Sequence, residues 1–136
     1  MKVINGKGAV MGRVAAYAAK ELLKGEEISI VNCEQMIITG SRKNITSEFE
    51  ATRKRVGSAQ GGPKVSRMPE QIVKRTVRGM LPNARMSGRV RNALKKIKCY
   101  VGIPKEFQDA KKIVGGKEKK SKFMYVGEIS EINKTK

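Results

Sequence analysis

Short β-branched runs separated by a helix-length segment constrain the fold of this chain more than any other feature. Residues 2–5 (Lys-Val-Ile-Asn) are an apolar run that ends at a glycine-rich turn, and residues 28–32 (Ile-Ser-Ile-Val-Asn) are another. Between them, apolar residues recur at helical spacing from Val14 to Leu23, and Gly25 ends the pattern. A strand, a turn, a helix and a second strand in this order predict an α/β layer architecture.

A third apolar run, at residues 36–40, predicts another strand whose direction the sequence leaves open. Three residues separate it from the second strand, which is too few for a standard parallel crossover. A last strand is predicted at residues 98–101, before Gly102.

Three helices are predicted between the third strand and the last one, each with an apolar stripe and basic residues around it. The first begins at Asn44 or Ser47. The second has Pro69 in its first turn, where proline is well tolerated, and residues 81–82 (Leu-Pro) end it. The third follows Gly88.

The length of the chain, 136 residues, allows one compact domain with a core and is too short for two. Residues 115–122 are low in sequence complexity, and we expect residues 123–126 to be the single anchor of the C-terminal segment. We therefore predict an α/β domain at residues 1–104 and a C-terminal extension at residues 105–136.

Positive charge is concentrated in the middle of the chain. Residues 41–100 hold sixteen Lys and Arg against three Asp and Glu, within a chain of net charge +18. A surface that is merely soluble mixes both signs. The segment therefore predicts a surface for nucleic acid, where phosphate contacts and counterion release give strong, salt-sensitive binding.

The residue types that the chain lacks exclude several classes of function. Because there is no histidine, the commonest general base and metal ligand is absent, as is every Ser-His or Cys-His nucleophile. We expect no catalytic residue, no metal and no cofactor. Aromatic residues make up 4% of the chain, which favours recognition of folded RNA by shape and phosphate over stacking of single-stranded bases.

The cysteines and the apolar runs indicate the cellular compartment. Cys33 and Cys99 are far apart in the sequence and match no paired-thiol or zinc motif, so we expect both to be reduced and buried beside strands. No apolar run has the length of a signal peptide or a membrane span. We expect a cytoplasmic protein with no membrane partner.

Two other functions stay open. Residues 6–12 form a glycine-rich turn between a strand and a helix, and together with Glu34 they suggest a small nucleotide-binding module. Their glycine spacing has one residue too many for the dinucleotide fingerprint, and close strand-to-helix packing is the other interpretation of this turn. A DNA-binding protein of the chromatin type would carry the same positive charge.

Residues 67–82 (RMPEQIVKRTVRGMLP) resemble the central motif of the universal large-subunit ribosomal protein family numbered thirteen. Shorter motifs in the family's order extend the resemblance over residues 2–104, among them residues 31–34 (VNCE) and 93–98 (ALKKIK). Residues 102–104 (GIP) and 122–127 (KFMYVG) are similar to the archaeal and eukaryotic cytosolic branch. The short C-terminal end favours an archaeal source.

The resemblance implies a three-layer α/β/α fold on a four-stranded, largely parallel sheet. It implies a structural constituent of the large ribosomal subunit, not an enzyme, that binds large-subunit rRNA through basic helix faces. It further implies contact with neighbouring ribosomal proteins, no small-molecule substrate, and a role in subunit assembly and translation on cytoplasmic ribosomes. The residues for which it implies RNA contact are Lys64, Arg67, Lys74, Arg75, Arg78 and Gly79.

The charge pattern adds further candidates for RNA contact. Gly62 lies in a turn of small residues, where backbone amides can approach an RNA backbone closely. The remaining candidates are basic residues of the same segment: Arg53, Lys54, Arg55, Arg85, Arg89, Arg91, Lys95 and Lys96.

Overall fold

The computed structural model describes residues 1–55, 57, 62, 65–83, 88–116 and 121–132. The strands in these ranges are β1 (Lys2–Asn5), β2 (Ile28–Val31), β3 (Ile37–Thr39), β4 (Ile97–Cys99), β5 (Lys112–Val114) and β6 (Phe123–Tyr125). The helices are α1 (Met11–Leu23), α2 (Arg42–Lys54), α3 (Pro69–Met80), α4 (Gly88–Lys95) and α5 (Val126–Ile132).

A four-stranded parallel sheet in the order β4-β2-β1-β5 forms the centre of the fold. In its register, Ile4 of β1 lies opposite Ile30 of β2 on one side and Ile113 of β5 on the other. Ile30 in turn lies opposite Cys99 of β4. The predicted α/β class and its four-stranded, largely parallel sheet are confirmed.

The two faces of the sheet pack against different layers. One face, which carries Ile4 and Ile30, packs against the apolar sides of α1, α3 and α4. The other face, which carries Val3 and Val31, is covered by Phe107 in a short 3-10 helix at Lys105–Phe107. The resulting three layers match the expected arrangement.

The third predicted strand forms outside the central sheet. β3 pairs antiparallel with β6, with Ile37 opposite Tyr125. The N–H of Val126 then donates to the carbonyl of Met36 at 2.9 Å. The direction of β3 is therefore set by a partner strand far along the chain, which explains why the neighbouring sequence left it open.

Helix α2 begins earlier than the sequence pattern indicated. Ser41 is its N-cap, and the Ser41 hydroxyl accepts a hydrogen bond from the N–H of Asn44 at 3.3 Å. The predicted starts, Asn44 and Ser47, are therefore wrong, because the serine directly after β3 and Gly40 caps the helix first. No side chain of α2 is fully buried, and Ile45 and Phe49 lie partly buried against the core.

The C-terminal segment contributes more to the core than its one expected anchor. β5 supplies an edge strand of the central sheet, and Phe107 and Ile129 are almost completely buried. Met124 of β6 and Val126 of α5 are buried as expected for residues 123–126. The division of the chain at residue 104 stays a prediction, since it depends on whether residues 1–104 fold without this segment.

Candidate nucleic-acid interface

Helix α3 separates an apolar face from a basic face. Pro69 occupies its first turn and the helix ends at Met80, as the sequence predicted. Ile72, Val73 and Val77 are buried against the core. Three predicted RNA-binding residues belong to this helix: Lys74, Arg75 and Arg78. With 3.6 residues per turn, their positions point to the side of the helix opposite the buried residues.

The cations of α3 are available for an external anion. Arg75 and Arg78 are exposed and Lys74 is half-buried. Among the residues that the structure describes, no carboxylate lies within ion-pair distance of Arg75 or Arg78. Guanidinium groups in this state can bind phosphate oxygens through paired N–H donors.

Gly79 widens the accessible part of this face. It follows Arg75 by one turn and is exposed, and a Cβ added to it would meet no atom within 4 Å. The packing of the described residues therefore does not require glycine at this position. A residue without a side chain here leaves space for another molecule to approach the backbone of α3.

The last turn of α2 carries the second group of predicted cations. Arg53 is half-buried, whereas Lys54 and Arg55 are exposed. The ammonium of exposed Lys54 lies 3.9 Å from the half-buried Glu50, and such an i,i+4 pair at the surface contributes little to stability. Cations at the carboxyl end of a helix also interact favourably with its dipole.

Helices α2 and α3 border one cavity of about 430 Å³. Thr52 lines it from α2 and Arg75 lines it from α3, while Phe49 and Ile72 contribute apolar walls. The carboxyl-terminal half of α2 and one side of α3 therefore face the same cavity, which Glu48 of α2 also lines. Arg53, Lys54 and Arg55 are not among its lining residues.

The remaining predicted residues are placed as follows. Gly62 has φ +46°, and a Cβ at this position would collide with the carbonyl oxygen of Arg55, so the backbone at this position requires glycine. Arg67 is half-buried just before α3. Lys64 and Arg85 lie outside the described residues.

Helix α4 presents a third set of cations. Val90 and Ala93 are buried, whereas Arg89, Arg91 and Lys95 are exposed. Lys96 follows the helix.

Two lysines near β4 have roles that the sequence pattern did not predict. The ammonium of Lys96 donates to the carbonyl of Gly25 at 2.8 Å, so this side chain fastens α4 to the turn after α1. Lys98, which was not among the predicted site residues, borders the same cavity of about 230 Å³ as Lys74. Tertiary packing creates both contacts, and the local sequence around each lysine does not predict them.

The glycine-rich turn at residues 6–12 serves the packing of the fold. A Cβ on Gly6 would meet Met36 and the carbonyl oxygen of Val31, and Gly8 has φ +66°. The carboxylate of Glu34 accepts a hydrogen bond from the N–H of Gly102 at 3.0 Å. These contacts favour the packing interpretation of the turn over the nucleotide-binding one.

The described residues contain neither a cluster of metal ligands nor a helix that could span a membrane. No group of three or more His, Cys, Asp or Glu side chains is arranged there to hold a metal ion. Within the same ranges, no helix has both the length and the apolar character that crossing a membrane demands.

The chain is similar to known proteins over nearly its whole length. The family model described as Ribosomal protein L13 matches residues 1–106. The large ribosomal subunit protein uL13 of Methanococcoides burtonii is 44% identical over 135 residues, which cover 96% of this chain and 95% of that protein. The proteins of the same name from Methanosarcina barkeri and Methanocaldococcus jannaschii are 42% and 40% identical, each with 96% of both chains covered.

These relatives confirm the resemblance predicted from residues 67–82 and from the shorter motifs around it. They are archaeal, which agrees with the branch that residues 102–104 and 122–127 indicated. The basic face of α3 is formed by the same residues that carry the central motif. This chain belongs to the ribosomal protein L13 family.

Proposed function

We propose that this protein is a structural, non-catalytic component of the large ribosomal subunit that binds large-subunit rRNA through its basic helix faces. In this role it supports subunit assembly and translation on cytoplasmic ribosomes, next to other large-subunit proteins. The name of its relatives supports membership of the subunit. The observation that carries RNA binding is the face of α3 on which Arg75 and Arg78 have no acidic partner among the described residues.

The rigid core gives this surface its shape. Val73 and Val77 are completely buried, so the backbone of α3 is fixed against α1 and the sheet. Cations on a fixed helix meet phosphates at set positions, which suits recognition of a folded RNA by shape more than by base sequence. The proposal also assigns RNA contacts to Gly79, Arg53, Arg55 and the cations of α4.

Replacement of two cations tests the proposal. The double variant Arg75→Ala/Arg78→Ala is compared with Lys20→Ala/Lys105→Ala, which removes the same charge from two exposed sites outside the proposed surface. We expect the first variant to bind a large-subunit rRNA fragment more weakly and with a salt dependence shallower by roughly one to two in log–log slope. The second variant should stay close to the wild type.

Two results would contradict the proposal. Equal loss of affinity in both variants would mean that net charge alone drives binding, and duplex DNA that competes as well as rRNA would favour a general nucleic-acid binder. Circular dichroism and thermal melts show whether each variant keeps its fold. Co-sedimentation of the protein with large subunits washed at rising salt tests its place in the particle.

A further inference from the structure

Cys33 and Cys99 are distant in sequence but lie side by side in the fold. Cys33 follows β2, and Cys99 is the last residue of the adjacent parallel strand β4. Cys99 lies opposite Ile30 in the strand register, three residues before Cys33. Both cysteine side chains pack into the same apolar cluster between the sheet and the helices. The two thiols therefore lie on the same face of the sheet.

Hydrogen bonds hold Cys33 against β4. The N–H of Cys33 donates to the carbonyl of Tyr100 at 3.1 Å, and the N–H of Tyr100 donates to the carbonyl of Ile30 at 2.8 Å. The Cys33 thiol also lies 3.7 Å from that same carbonyl of Ile30. A hydrogen bond with the Cys99 thiol, together with burial, raises the pKa of Cys33 above its ordinary range.

The two thiols differ in their access to solvent. Cys33 is completely buried, whereas Cys99 is half-buried and borders an open cavity of about 230 Å³. Lys74, Lys98 and Glu70 border the same cavity, so its charged lining is two cations against one carboxylate. A net positive lining attracts small anionic reagents. A reagent that enters the cavity therefore reaches Cys99 first.

We propose that Cys33 and Cys99 are a redox-active thiol pair, which an anionic low-molecular-weight disulfide of the glutathione class converts into an intramolecular disulfide. The proposal is independent of RNA binding. It assigns Cys99 as the thiol that is modified first and Cys33 as the thiol that resolves the intermediate.

The reaction consists of two thiol–disulfide exchanges. In the first, Cys99 loses its proton and attacks one sulfur of the reagent, whose S–S bond breaks and whose second half leaves as a thiolate that takes up a proton. In the second, Cys33 loses its proton and attacks the sulfur of Cys99, and the remaining reagent half leaves and is protonated. Two protein thiols are oxidised to one disulfide while the reagent disulfide is reduced to two thiols.

The cross-link would join positions on β4 and after β2 that the chain separates by more than sixty residues. A disulfide across a long loop restricts the unfolded chain more than the folded one. The backbone hydrogen bonds between Cys33 and Tyr100 and between Tyr100 and Ile30 hold the two segments together, which favours closure of the bond within one molecule. We expect the melting temperature of the oxidised protein to rise by about 5 °C or more.

The test is mass spectrometry of the purified full chain after incubation with oxidised glutathione under native conditions. We expect the wild type to lose two hydrogens and to yield one peptide pair linked through Cys33 and Cys99. The variant Cys99→Ser should keep its Cys33 thiol free, and Cys33→Ser should retain one glutathione on Cys99. A reducing agent should reverse every change.

Other outcomes overturn the proposal. They are a wild type that remains a dithiol, a wild type that stops with glutathione on Cys99, or disulfides that form only between molecules on a non-reducing gel. Circular dichroism shows whether the serine variants fold. If Cys33→Ser does not fold, the mass and peptide map of the wild type decide without it.

Discussion

Glu21 accepts a hydrogen bond from the ammonium of Lys2, and this contact joins the last turns of α1 to the first residue of β1. The same carboxylate accepts a second hydrogen bond from Lys24 at 2.7 Å. Glu21 is 4% exposed, and its carboxylate forms ion pairs with both lysines. The hydrogen bonds from Lys2 and Lys24 lower the pKa of Glu21 from 4.5 to about 2.

The lowered pKa makes stability depend on pH in acid. A carboxylate with a lower pKa in the folded state stabilises the fold fully above its unfolded pKa, and the contribution is lost as the pH falls. The variant Glu21→Gln should therefore be less stable than the wild type at pH 7. The difference in free energy of unfolding should shrink as the pH falls from 4.5 towards 2. Urea titrations of both proteins across this range measure it.

Glu27→Gln is the matched control, because the side chain of Glu27 is exposed. Its free energy of unfolding should equal that of the wild type at every pH in the same titrations. The free energy of unfolding of Glu21→Gln could instead stay below that of the wild type by the same amount from pH 7 to 2. This result would show that the lysine pairs do not stabilise the fold and that the loss comes from packing.

The elements with strong local signals were predictable from the sequence, whereas the pairing of short strands was not. β1, α1 and β2 have clear periodicity and a glycine at each boundary, and Pro69 marks the start of α3. β5 has three residues, and two of them, Ile113 and Val114, are exposed. Such a strand forms because β1 offers an edge, which no pattern within residues 112–114 indicates.

The candidate site likewise has a part that the sequence predicts and a part that it does not. Helical spacing was sufficient to place Lys74, Arg75 and Arg78 on one face, because Val73 and Val77 determine which side of α3 is buried. The bond between Lys96 and Gly25, and the proximity of Cys33 to Cys99, join residues far apart in the sequence. Local patterns carry no information on contacts of that kind.

Gly79→Ala is expected to separate stability from RNA binding. Because open space surrounds this position, alanine adds no clash and removes the conformational cost of glycine in a helix. The free energy of unfolding should rise by roughly 0.5–1 kcal/mol. If rRNA approaches the backbone of α3 here, the same methyl group should weaken binding. Thermal melts and titration of an rRNA fragment measure the two effects.

Gly12→Ala is the control for this prediction, since Gly12 also lies in a helix with no atom within 4 Å of an added Cβ. It should stabilise the protein without a loss of RNA affinity. If Gly79→Ala binds RNA as tightly as the wild type, the backbone at this position is not part of the interface.

Truncation after residue 104 is expected to destabilise the whole chain. It removes β5 from the sheet and takes four buried side chains from the core, those of Phe107, Met124, Val126 and Ile129. At roughly 1.5–3 kcal/mol for each side chain, the loss is about 6–12 kcal/mol. That is close to the total stability of an ordinary domain, about 5–15 kcal/mol. Circular dichroism and hydrogen exchange of residues 1–104 measure the outcome.

Removal of residues 133–136 alone is the control for the truncation, since it leaves every buried residue of the described core in place. It should melt like the full chain. A cooperative, stable fold of residues 1–104 would instead support the division predicted from the sequence and show that the C-terminal segment docks onto a completed domain.

Ser41→Ala is expected to loosen the start of α2 and little else. The Ser41 hydroxyl caps the N–H of Asn44, and loss of an N-cap serine costs about 1 kcal/mol. Since α2 has no fully buried side chain, this cost should appear as local opening. Amide exchange in the first turn should accelerate about fivefold, as a 1 kcal/mol cost implies.

Ser47→Ala is the control, since Ser47 lies in the same helix and is exposed. It should leave amide exchange in the first turn unchanged. Equal exchange in both variants would show that packing of Ile45 and Phe49, and not the cap, fixes where α2 begins.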